Sequence, residues 1–105
     1  MLRFIGIKEL NIIERLKLFS LTRPYYKKLR TYFKNPELII RIKKYNKEGK
    51  QKKFSIHSRI NAPRLLLTSQ SADWDLPRAI HKNFNKFLKE IENKFEKPRI
   101  RRPQR

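Results

Sequence analysis

Two histidines, His57 and His81, and an acidic pair, Asp73 and Asp75, are the side chains best suited to proton transfer or metal binding. The acids flank the only tryptophan, Trp74, in the stretch SADWDLPRAIHKNF, and His81 follows on the same stretch. A catalytic centre needs a nucleophile or base held against an orienting partner. Neither histidine has a serine or carboxylate at a spacing that forces the two together. The chain contains no cysteine, which removes thiolate chemistry, disulfides and cysteine-based zinc sites. Asp73 or Asp75 is expected to cap a helix, with Pro77 tolerated in its first turn. Trp74 is expected to pack over that helix start, since tryptophan is mostly buried on average. No catalytic residue, metal ligand, cofactor or small-molecule substrate is assigned, and the chain is read as a non-enzyme.

Phosphate binding is the chemistry that the composition favours. Lys and Arg number 28 against 9 Asp and Glu, a formal net charge of +19 with a pI near 10.8. Self-repulsion of this size opposes compactness, and a polyanionic partner is the economical explanation. The 38% apolar residues and seven Phe still support a core, and 105 residues make one small domain. No run approaches the roughly 18 apolar residues of a membrane span, so no membrane partner is expected. The opening MLRFIGIKEL combines an arginine with an apolar run, but Glu9, Glu14 and the scarcity of serine argue against a targeting peptide.

These charges need elements to position them. LRFIGI (2–7) reads as a first strand. Asn11 and Glu14 then form a capping box ahead of a helix in which Ile12, Ile13, Leu16, Phe19, Tyr25, Leu29, Tyr32 and Phe33 recur at helical spacing. Pro24 predicts a kink or restart with Thr22 as a new cap, and Asn35-Pro36 ends the helix. Strands follow at 37–45, 53–60 and 64–70, with a turn at 46–50. A helix over Leu76–Phe95 carries Ile80, Phe84, Phe87, Leu88, Ile91 and Phe95 on one stripe. The order β-α-β-β-β-α predicts an α+β two-layer sandwich, a four-stranded sheet with both helices on one face. Residues 1–96 form the domain, and 97–105 read as a basic, disordered tail.

Opposite the core-facing positions, the first helix carries Arg23, Lys27, Arg30 and Lys34, and the second carries Arg78, Lys82, Lys86 and Lys89. A merely solvated face mixes signs, because opposite charges at i,i+4 stabilise a helix and like charges destabilise it. No acid occurs between Arg15 and Pro36. The basic hairpin (Lys43, Lys44, Lys47, Lys50, Lys52, Lys53) and the tail arginines Arg101 and Arg102 extend the pattern. Such an array gains affinity by releasing counterions from phosphates. The strands are expected to lack the open-face aromatics that stack single-stranded bases, which favours folded RNA read by shape.

The segment KEGKQKKFSIHSRINAPRLLLTSQSADWDLPRAIHKNFNKFLKEIENKF, with YYKKLRTYFKNP upstream, resembles the family of ribosome hibernation-promoting factors. These are also called ribosome-associated inhibitors or sigma-54 modulation proteins. Ala79, Ile80, Phe84, Lys86 and Phe87 match the family's last helix, and the likeness covers most of residues 12 to 96. It implies a short-form cytoplasmic factor bound to small-subunit rRNA and nearby ribosomal proteins in the mRNA and tRNA cleft. Such a factor silences translation in dormant or stressed cells. The resemblance assigns rRNA contact to Lys28, Lys86 and Lys89, and no self-association is expected. A structural ribosomal protein or another rRNA-binding protein is the alternative reading.

Overall fold

The computed structural model describes residues 1–47, 51–63 and 65–95, and of residues 46, 47, 51, 52 and 95 the backbone alone. Strand β1 (Leu2–Ile5) leads through a 3-10 turn (Ile7–Glu9) into helix α1 (Ile12–Leu29). Strands β2 (Glu37–Lys47), β3 (Gln51–Ala62) and β4 (Leu65–Asp73) follow, and helix α2 (Leu76–Phe95) closes the fold. The sheet order is β1-β2-β3-β4, with β1 parallel to β2 and the other pairs antiparallel. The architecture is the expected two-layer α+β sandwich.

Alternation decides which face of the sheet is covered. Leu38, Ile40, Ile42, Phe54, Ile56, Ile60 and Leu67 are buried on the covered face, and α2 meets them with Ile80, Phe84, Phe87 and Ile91. Tyr25 of α1 stacks on Phe84 of α2 at 4.8 Å between ring centroids, which joins the helices side by side. A polar seam docks α2 on the sheet. Buried Asn83 accepts from Ser58 Oγ at 2.5 Å and donates to the Ile56 and Ser69 carbonyls. Ser69 and Ser71 return bonds to the helix carbonyls of Asn83 and Ala79. Each such group would cost about 1–3 kcal/mol if buried without a partner.

The capping box at the start of α1 forms as expected, with Asn11 and Glu14 each bonding the other's amide. Four other features differ from the sequence reading. Strand β1 stops at Ile5, because Gly6 adopts φ 89° and a Cβ there would collide with the Ile42 carbonyl oxygen. Helix α1 runs through Pro24 without a restart, and Thr22 is a buried helical residue, not a cap, whose hydroxyl has no partner among the described residues. The helix ends at Leu29, where Thr31 and Tyr32 make short-range amide bonds to Lys28 and Leu29 carbonyls, so Tyr32, Phe33 and Lys34 lie in the turn. Ile12, Ile13 and Leu16 point to solvent: helical spacing fixed a common stripe but not which side of the first turns meets the sheet.

Candidate nucleic-acid interface

Glu14, Glu37 and Asp73 each hold a nearby cation. Glu14 is half-buried, and its carboxylate holds Lys44 Nζ at 2.8 Å while Glu9 accepts the Lys44 amide at 2.9 Å. Lys44 therefore sits on the covered side of the hairpin and serves structure, against the expectation that it joins a phosphate-binding set. Glu37 meets Arg3 at 3.8 Å and accepts from Asn61. Asp73 closes β4 in a buried position, accepts the Asp75 amide at 3.0 Å and holds Lys82 Nζ at 2.8 Å, with Arg78 at 3.8 Å. The Lys82 hydrogen bond, then the Asp75 amide, keeps the Asp73 carboxyl below its ordinary value. The Asp75 carbonyl accepts the first helical amide, from Ala79, as a cap position should.

The two helical stripes consequently differ in availability. Arg23, Lys27 and Lys28 on α1, Arg30 at its C-cap and Lys34 in the following turn are all exposed. Among the described residues none of these five has an acid within ion-pair distance. On α2 the exposed Arg78 and Lys82 lean on Asp73, and Lys86 Nζ donates to the Gln70 carbonyl at 2.6 Å. Lys89 is exposed and has no partner among the described residues. Removing charges from α2 therefore disturbs local bonds as well as the face, contrary to the simple view of a detachable outward stripe. Arg101, Arg102 and Lys50 lie outside the described residues, and Lys47 and Lys52 are described by backbone alone.

The histidines do not assemble with acids. His81 Nδ1 shares a hydrogen bond with the Tyr25 hydroxyl at 2.7 Å, and burial raises that hydroxyl above its ordinary value. His57 is exposed on the opposite side of the sheet. Among the described residues no three His, Cys, Asp or Glu side chains gather as a metal site, and no helix is long and apolar enough to cross a membrane.

Two expectations about aromatic side chains are overturned. Trp74 is 47% exposed, not packed over the helix, and Tyr45 stands 48% exposed on the open face of the sheet. Tyr45 was legible in principle: strand alternation from Ile39 through Arg41 and Lys43 carries it to that face.

No family model matches the sequence, and no curated protein sequence does. Solved structures do match. A ribosomal subunit interface protein from Coxiella burnetii superposes with a TM-score of 0.59 at 14% identity, over 90% of this chain and 93% of that one. The N-terminal domain of Thermus thermophilus Protein Y superposes with a TM-score of 0.52 at 17% identity, over 88% of this chain and 92% of that one. The chain has their fold. Identities this low establish architecture, and the charge arrangement has to carry the rest.

Proposed function

We propose that this protein is a cytoplasmic ribosome-hibernation factor. In this reading it occupies the mRNA and tRNA channel of the small subunit and silences translation in dormant or stressed cells. The observation that carries the reading is the exposed cationic surface of Arg23, Lys27, Lys28, Arg30 and Lys34, none with an acid within ion-pair distance among the described residues. It lies on a fold shared with a ribosomal subunit interface protein. Arg23, Lys27, Lys28, Arg30 and Lys34 take the phosphates of folded rRNA, with Lys89 beside them on α2 and Arg78, Lys82 and Lys86 at their tethered positions. Arg101 and Arg102 of the tail add further phosphate contacts. Nearby ribosomal proteins complete the surroundings, and one copy acts without self-association.

Competition tests the position. Protein added to small subunits should displace mRNA and P-site tRNA, and should inhibit translation in a cell extract. Tight simultaneous binding of tRNA, mRNA and this protein to one subunit would contradict channel occupancy and favour a structural ribosomal protein.

A further inference from the structure

The sheet face opposite the helices is organised in cross-strand rows. Tyr45 of β2 pairs with Lys53 of β3, and Phe54 pairs with Asp73, which sets Trp74 beside Lys53 at the end of β4. Two strand spacings put the two aromatic backbones about 10 Å apart with Lys53 between them. Lys53 Nζ lies 5.6 Å from the Trp74 ring centroid, and Lys43 Nζ lies 5.9 Å from that of Tyr45. The next row is Lys43, Ser55 and Ala72, whose two small side chains leave the space beside the rings open. Beyond it a depression of about 330 Å³ is lined by Ile39, Arg41, His57, Arg59, Thr68 and Gln70. Among the described strand residues, the one acid on this face is Glu37, held at the far end by Arg3 and Asn61.

Packing does not require this arrangement, since both rings are half exposed and the core lies on the other face. A face kept polar only for solvation would mix charges and would not display two large aromatic rings. Exposed rings interleaved with cations are the chemistry of base stacking beside a phosphate track. We propose that this face binds single-stranded RNA, with bases stacked on Trp74 and Tyr45 and phosphates running past Lys53, Lys43, Arg41 and Arg59. The choice of RNA over DNA rests on the proposed function; the stacking rests on the face itself. The protein then has two nucleic-acid surfaces, a helical one for folded RNA and a sheet one for an unpaired segment.

Trp74 is the only tryptophan, so its emission reports this face directly. Titration of the whole protein with an oligouridine of about ten nucleotides should quench that emission saturably. A duplex RNA of equal length should leave it nearly unchanged, and the matching DNA strand should bind more weakly. Tyr45→Ala should weaken binding about tenfold by the same readout. Trp74→Leu, followed by anisotropy of a labelled oligouridine, should lose about as much while melting like the parent protein. Absence of quenching, equal quenching by the duplex, or parental affinity in both variants would overturn the proposal. A DNA strand that binds as tightly would overturn the choice of RNA. Loss of oligouridine binding with intact ribosome affinity removes the sheet face alone, whereas quenching without ribosome binding removes the proposed function alone.

Discussion

The two helices carry the same alternation of core and cation in sequence, yet the fold uses them differently. Helix α2 lies flat on β3 and β4, with Ile80, Phe84, Phe87 and Ile91 buried and a polar seam through Asn83 beneath them. Arg78 and Lys82 are drawn onto Asp73, and Lys86 onto the Gln70 carbonyl. Helix α1 buries less, exposes Ile12, Ile13 and Leu16, and leaves its downstream cations bare. A cationic stripe is therefore not one property. On α2, Arg78, Lys82 and Lys86 make contacts within the domain, whereas on α1 Arg23, Lys27 and Lys28 have no acid within ion-pair distance among the described residues.

Phe84 is the place to break the comparison most severely, because it belongs to both helices through the core of α2 and the stack with Tyr25. Phe84→Ala should cost about 3–5 kcal/mol in denaturant unfolding, a large share of a small domain's stability. A much smaller loss would mean that the helix pair is not tied through this ring.

A smaller effect sharpens the role of the α2 charges. The lowered Asp73 carboxyl contributes stability that is present above the ordinary aspartate value and is lost as pH falls through its folded value. Lys82→Met removes both the hydrogen bond and the charge. The variant should melt below the parent protein at neutral pH, and the gap should close on acidification below the ordinary carboxylate range. A gap independent of pH would place the effect in packing instead of the Lys82–Asp73 pair.

Much of the fold was legible because the signals are local. The Asn11–Glu14 box, the bounds of α2 and the alternation of β2 and β3 each depend on neighbours within a turn or a strand. What escaped depends on register between distant segments. Lys44 meets Glu14 only once β2 runs beside the start of α1, and Lys82 meets Asp73 only once β4 extends past residue 70. The end of α1 turned on competing short-range amide bonds, which apolar spacing does not encode. Asn83 left a trace, a polar residue on the stripe between Ile80 and Phe84, and such a position points to a buried hydrogen-bond network. The cationic character was plain from composition, but that Lys44 and Lys82 are held by Glu14 and Asp73 required the fold.

The central claim is that the bare charges of α1 and its turn hold ribosomal RNA. It is tested most directly by the salt dependence of small-subunit binding, with Arg23, Lys27, Arg30 and Lys34 changed together to Gln. Gln is nearly as good a helix former, so the melting temperature should change little. The slope of log affinity against log salt should flatten by roughly 3, since each of the four phosphates no longer neutralised accounts for about 0.7–0.9. Affinity at physiological salt should fall with it. A variant that keeps the parent's affinity and slope would contradict the account and return these side chains to the role of a solvated surface.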